Sequence, residues 1–262
     1  MLDANLIKNV TDIAHQAGNA IMQIYQRDFA VYEKSDESPL TEADLAAHNH
    51  IVAGLEKVSD LPILSEESAD IPWSERQTWS KYWLVDPLDG TKEFIKKNGE
   101  FTVNIALIDD GVPVFGVVFA PVLERTYVGI VGQGAYKIEG GKHTPITPEK
   151  KQSEGSWKIV GSRSHQSPEI QVLLDSLDGE TELIAMGSSL KLCLVAEGAA
   201  HLYPRLGPTS EWDTGAAHAV VSAAGGKVTV IADASNVLDK DAEPLRYNQK
   251  ESVLNPYFLV SC

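Results

Sequence analysis

Cysteine, positive charge and long apolar runs are all scarce in this 262-residue sequence, and each shortage removes a class of protein. Only Cys193 and Cys262 are present, one inside an apolar periodic stretch and one at the last position, so no disulfide framework is indicated and a reducing cytoplasm is expected. Lys and Arg number 22 against 37 Asp and Glu, a formal net charge of −15. With no extended basic block, that balance excludes a protein that wraps a nucleic-acid backbone, because such binding depends on basic side chains neutralising phosphates. No apolar run approaches the roughly 18 residues needed to span a bilayer. Met1 to Tyr25 shows a helical period rather than the basic, apolar, small-residue order of a secretion signal. The expectation is a cytoplasmic protein with no transmembrane segment; peripheral contact with the inner face of the cell membrane and the oligomeric state stay open. What remains, 43% apolar and 23% charged residues, suffices for a sizeable core and excludes disorder, collagen and coiled coil as overall descriptions.

Leu6, Val10, Ile13, Ala17, Ile21 and Ile24 recur at helical steps and predict a long first helix. Thr41 and Asp44 form a Thr-x-x-Asp capping pattern ahead of a second helix, with Leu45, His48, Ile51, Val52 and Leu55 at helical spacing. Tyr82 to Val85 reads as a strand stopped at Asp86-Pro87, since proline cannot donate to a ladder. Strands near Phe101 to Ile108 and Val112 to Phe119 flank an Asp-Asp-Gly hairpin turn, and Thr126 to Val131 and Ala135 to Ile138 follow. The first half predicts two helices on a mainly antiparallel or mixed sheet. Gly140 to Gly155 is polar, carries Pro145 and Pro148, and marks a boundary between residues 1–150 and 151–262, two halves of one compact unit. Beyond it, short strands alternate with helices near Pro168 to Leu177, Ser189 to Ala196 and Asp213 to Ala224, which signals layered α/β structure with helices on both faces of a sheet.

Asp86-Pro87-Leu88-Asp89-Gly90-Thr91 is the most informative segment. Two carboxylates three residues apart, across a turn made by Pro87 and Gly90, can aim their oxygens at one point, with the Leu88 carbonyl between them. Hard divalent cations take such oxygen ligands, and Mg²⁺ completes its shell with water and substrate phosphate. A solvated turn held by Asx hydrogen bonds fits the same hexapeptide. Glu66-Glu67 fits a solvated acidic loop, Asp213 fits a cap at the start of an apolar helix, and Asp44 fits half of a capping box. From the residues alone these alternatives stay open.

The order and spacing of the Asp86–Thr91 hexapeptide, Ser65-Glu66-Glu67-Ser68 and Trp212-Asp213-Thr214-Gly215-Ala216-Ala217 resemble the inositol monophosphatase superfamily of Mg²⁺-dependent, lithium-sensitive phosphatases. Within it, the nearest resemblance is to the CysQ-type 3′(2′),5′-bisphosphate nucleotidases. It is carried by Tyr82 to Gly99, Gly187-Ser188-Ser189-Leu190-Lys191, Leu194 to Gly198, Leu202-Tyr203-Pro204-Arg205 and Leu254-Asn255-Pro256, and it covers essentially the whole chain.

The resemblance implies an αβαβα sandwich, the inositol monophosphatase and sugar phosphatase fold. It implies two or three Mg²⁺ ions held by Glu66, Asp86, Asp89, Asp213 and the Leu88 carbonyl, with Asp44, Glu66 and Thr91 acting on the attacking water. Gly90, Thr91, Ser162, His165, Gly187, Ser188, Lys191, Arg205 and Asp213 fall at substrate-contact positions. A Gly-Ser-Ser turn opening a helix also offers backbone N–H groups to a phosphate, and Lys191 a point charge. The implied reaction converts adenosine 3′,5′-bisphosphate to AMP and phosphate, a step linked to sulfur assimilation, with a small-molecule nucleotide as the partner and no nucleic acid. An inositol or sugar phosphatase, or a non-catalytic nucleotide or cation sensor, are the alternatives.

Overall fold

The structure is a computed structural model that describes residues 2–33, 39–161, 168–233 and 237–262. Helix α1 (Ala4–Tyr25), the short strands β1 (Val31–Glu33) and β2 (Pro39–Thr41), and helix α2 (Glu42–Val58) come first. Strand β3 (Ile63–Ser65) runs into a 3₁₀ turn (Glu66–Ser68), followed by α3 (Trp73–Arg76), β4 (Lys81–Asp89) and α4 (Thr91–Ile95). Five more strands follow: β5 (Thr102–Asp109), β6 (Val112–Ala120), β7 (Arg125–Ile130), β8 (Gly134–Glu139) and β9 (Lys142–Ile146). The rest comprises β10 (Trp157–Gly161), α5 (Pro168–Ser176), β11 (Thr181–Ala185), α6 (Leu190–Ala196), β12 (Leu202–Arg205), α7 (Glu211–Ala224), β13 (Lys227–Val230) and β14 (Phe258–Ser261).

Strands β3 to β9 form a seven-stranded sheet in sequential order, with β3 parallel to β4 and the other pairs antiparallel. A five-stranded mixed sheet runs β11-β10-β12-β14-β13. Side chains alternate across each sheet, and the alternation sorts them into three cores. Trp83, Val85, Ile105 and Val117 pack with Ile13, Ile21, Ile51 and Leu55 of α1 and α2. Tyr82, Leu84, Ala106 and Val118 face the other way, onto Leu190 and Cys193 of α6 and Ala216 and Val220 of α7, which also cover Val160, Tyr203 and Val260 of the second sheet. Ile159, Leu202 and Leu259 point outward to Leu173 of α5. The result is the expected αβαβα layering. Helix α7 lies close to the first sheet because Gly116 and Gly129 present no side chain: a Cβ at Gly116 would stand 2.1 Å from the Ala216 carbonyl oxygen, and one at Gly129 2.4 Å from Val220 Cα.

Several sequence expectations are corrected. Strand β4 does not stop at Pro87 but runs to Asp89, with a register shift between Asp86 and Asp89 that absorbs the missing N–H. Leu45 is 43% exposed, because α2 turns Ala43, Asp44 and Ala47 inward instead. The polar stretch after Gly140 carries β9, an exposed edge strand that tolerates Pro145. Strand β14, outside every segment assigned above, fills the gap between β12 and β13.

Candidate active site

The end of β4 carries the Asp86–Thr91 turn into the body of the protein. Asp86 and Leu88 are each 1% exposed, and the Leu88 N–H donates to Asp86 Oδ1 at 3.0 Å, an Asx-type bond across the proline. Gly90 takes φ +98°, where a Cβ would meet the Glu100 carbonyl at 3.2 Å and Phe101 Cα at 3.3 Å, so glycine is required as the chain reverses into α4. Thr91 thereby becomes the first residue of α4.

Its hydroxyl is directed at Asp44. Thr91 Oγ1 donates to Asp44 Oδ1 at 3.1 Å and lies 3.4 Å from the Leu88 carbonyl. Asp44 Oδ2 accepts from the Thr41 N–H at 2.8 Å and from Thr41 Oγ1 at 2.6 Å, completing the capping box of α2. Capping and site membership therefore coexist in one carboxylate. Burial raises the Asp44 pKa above the usual carboxylate range, against the hydrogen bonds from Thr41 and Thr91, which favour the charged form.

Asp213 repeats the device at α7, accepting from the Ser210 N–H at 3.0 Å. Its pKa is pushed up to about 8 by burial and then by the charge of Asp89, while Asp89 is pushed up to about 6 by burial, opposed by Lys191. Asp86 is raised well above the carboxylate range by burial and by Glu66, Asp89, Asp213 and Asp44, in that order. Glu66, rather than its neighbour Glu67, is the glutamate of the 3₁₀ turn whose charge reaches Asp86, Asp89 and Asp213. Glu66, Asp86, Asp89 and Asp213 thus converge on one electrostatic region. Among the described residues no three His, Cys, Asp or Glu side chains are already closed into a set that could hold an ion. The chemistry of the donors nevertheless fits a hard divalent cation, because crowded carboxylates that repel one another offer only oxygen and gain from a positive charge between them.

A cavity of about 210 Å³ opens beside the turn, lined by Asp89, Gly90, Gly187, Ser188, Lys191, Arg205 and Asp213, with Tyr203 in its wall. Asp44, Glu66, Asp86, Leu88 and Thr91 are not on its wall. Lys191, far from being a solvated surface lysine, is only 9% exposed and sits 5.6 Å above the Tyr203 ring. Burial lowers its pKa and Asp89 acts to raise it. Arg205 donates to the Pro208 carbonyl at 2.7 Å, and its Nε is buried with no hydrogen-bond partner among the described residues.

The Gly-Ser-Ser turn differs from expectation. The Gly187 N–H donates to Glu100 Oε2 at 2.8 Å and the Ser189 N–H to Asp89 Oδ2 at 2.5 Å, so these backbone donors are occupied by the protein's own carboxylates. Ser188, at φ +48°, carries the chain between them. Ser162 and His165 lie outside the described residues. Residues not singled out from the sequence include Thr102 and Asn104, which hydrogen bonds join to Ser189 beneath the turn. Their signal was a pair of polar residues interrupting the apolar alternation of β5.

The chain belongs to the inositol monophosphatase family, whose model matches residues 3–256. The 3′(2′),5′-bisphosphate nucleotidase CysQ of Escherichia coli strain K12 is 50% identical over 260 residues, covering 98% of this chain and 99% of that protein. The nucleotidase of the same name from Salmonella typhimurium strain LT2 is 48% identical over 259 residues, covering 98% of this chain and 99% of that protein. Among solved structures, CysQ from Bacteroides thetaiotaomicron matches with a TM-score of 0.83 at 44% identity, covering 98% of this chain and 96% of that one. An inositol monophosphatase from Anabaena, at 24% identity and a TM-score of 0.73, covers 98% of this chain and 90% of that one and shares the fold.

Proposed function

We propose that this chain is a 3′(2′),5′-bisphosphate nucleotidase that hydrolyses the 3′-phosphate of adenosine 3′,5′-bisphosphate, releasing AMP and phosphate, in the cytoplasm and in connection with sulfur assimilation. The observation that carries this is one cavity in which Asp89 and Asp213 meet Lys191 and Arg205, on a chain 50% identical over nearly its whole length to a named nucleotidase. The family is one of metal-dependent phosphatases, generally using magnesium. Glu66, Asp86, Asp89, Asp213 and the Leu88 carbonyl would hold two or three Mg²⁺ ions. Bound there, magnesium would acidify water and neutralise charge on the transferring phosphoryl group.

The protein's own groups account for the remaining work. Thr91 donates its hydroxyl hydrogen bond to Asp44 Oδ1, which leaves the threonine oxygen lone pairs free to accept from, and so orient, an attacking water. Asp44, made more basic by burial and fixed by Thr41, is placed to take the proton that this hydrogen-bond chain passes on. Lys191 and Arg205 supply positive charge for a doubly phosphorylated ligand, which a cavity edged by carboxylates would otherwise repel. Because the amides of Gly187 and Ser189 are engaged, side-chain cations rather than backbone donors carry that recognition.

Phosphate release from adenosine 3′,5′-bisphosphate, inositol monophosphates and sugar phosphates, with and without Mg²⁺ and with Li⁺, tests the proposal. Magnesium-dependent, lithium-inhibited turnover with the nucleotide preferred is expected. Preference for a polyol phosphate, or undiminished turnover in Asp89→Asn protein, would contradict it.

A further inference from the structure

Beneath the turn, β5 carries two polar residues on the carboxylate side. In the ladder Thr102 stands opposite Asp89 and Asn104 opposite Asp86. Opposed residues of an antiparallel pair share a face of the sheet. Thr102 and Asn104 are 0% and 1% exposed, and buried polar groups destabilise a strand unless they are hydrogen-bonded. Their partner comes from the segment that opens α6. Ser189, itself 2% exposed, donates its hydroxyl to Asn104 Oδ1 at 2.9 Å and lies 2.8 Å from Thr102 Oγ1, which reaches Asn104 Oδ1 at 3.2 Å. These three contacts share two hydroxyl hydrogens, and the Ser189 amide leaves the ring to donate to Asp89 Oδ2.

The ring is a poor stabilising device. The Asn104 amide nitrogen is buried with no hydrogen-bond partner among the described residues, a deficit that apolar packing at the same place would not incur. Its geometric effect is sharper: the ring fixes Ser189 in one orientation, and Ser189 fixes Asp89.

We infer that Thr102, Asn104 and Ser189 are positioning residues that set how Asp89 presents its carboxylate to the bound cation. They act through Asp89: Ser189, which also borders the cavity, turns its hydroxyl to Asn104 and reaches Asp89 through its backbone amide. The inference rests on the metal-dependent function proposed above, and its test separates the two.

The experiment compares wild type, Thr102→Val, Thr102→Ser and Ser189→Ala as full chains. Two quantities are read: the magnesium concentration giving a half-maximal rise in melting temperature, and that giving half-maximal hydrolysis of adenosine 3′,5′-bisphosphate. Thr102→Val keeps shape and Ser189→Ala keeps the backbone amide, so melting temperatures without magnesium should stay near wild type. Both half-saturation points should rise about tenfold, the loss usual for a partner one layer behind a metal ligand. The KM for the nucleotide at saturating magnesium should move by less than about twofold, and Thr102→Ser should behave as wild type. Unchanged magnesium dependence in Thr102→Val and Ser189→Ala overturns the inference. So does a loss of activity that tracks lowered stability and that Thr102→Ser does not restore. If wild type responds to magnesium but leaves the bisphosphate intact, the substrate assignment falls while the melting arm still decides the ring. A wild type with neither response overturns both.

Discussion

At the scale of the residue, the carboxylates of the site each answer to two demands. Asp44 and Asp213 complete helix caps through one oxygen and belong to the acidic cluster. The strain of that arrangement is electrostatic. Asp213 is pushed from an ordinary 3.8 to about 8, so between those values the folded, metal-free protein keeps a proton that the unfolded chain has lost. Stability without divalent cations should therefore fall as pH rises through that window. Asp213→Asn retains an oxygen for the Ser210 amide and removes the charge. At high pH in chelator it should melt about 3 °C or more above wild type, and with magnesium the order should reverse as the variant fails to bind it. A variant that melts below wild type in chelator would show that repulsion among the carboxylates is outweighed by what Asp213 holds together. His218 gives the opposite slope. Buried against Tyr247, with Nδ1 3.0 Å from the phenol oxygen, its pKa is lowered from 6.5 to about 3 by burial and then by Arg246. Below 6.5 the unfolded chain takes a proton that the folded state refuses, so stability falls from there toward pH 3. Urea unfolding at pH about 5 and about 7 should show this acid-side loss in wild type and a much smaller one in His218→Gln.

At the scale of the element, α7 depends on bare backbone beneath it. Gly116 and Gly129 face its main chain, which has no rotamer to yield, so Gly116→Ala must push the helix off the sheet. A loss of about 3 kcal/mol in stability is expected, at the severe end for overpacking, and activity should fall with it because α7 carries Asp213. Unaltered denaturant midpoints would show that the approach is looser than the structure has it. Elements with strong local punctuation were legible in the sequence. The period of α1, the Thr41–Asp44 cap and the Pro87–Gly90 turn each follow from rules acting over a few residues. Elements decided by tertiary context were not. Strand β9 is polar because it is an exposed edge, β4 continues past its proline because a bulge and the neighbouring β5 carry it, and α2 leaves Leu45 outside because its packed face runs through Ala43, Ala47, Ile51 and Leu55. The Thr102–Asn104–Ser189 ring was illegible for the same reason, since its members become neighbours only when α6 is laid against β5.

At the scale of the whole molecule, the site lies where layers meet. The end of β4, on the seven-stranded sheet, supplies Asp86, Leu88 and Asp89, and the middle helical layer brings Lys191 on α6 and Asp213 on α7 against it. No helix among the described residues is long and apolar enough to cross a membrane. The carboxylates converge electrostatically, and the proposed function places a divalent cation among them. A crystal structure of the protein grown with Mn²⁺ in place of Mg²⁺ and with AMP and phosphate would decide the matter, since manganese can be located by its anomalous scattering. Ions are expected about 2.0 to 2.3 Å from oxygens of Glu66, Asp86, Asp89 and Asp213 and from the Leu88 carbonyl, with phosphate bridging them next to Lys191. Manganese elsewhere, with those carboxylates still holding only their hydrogen bonds to the protein, would be incompatible with a metal-closed site.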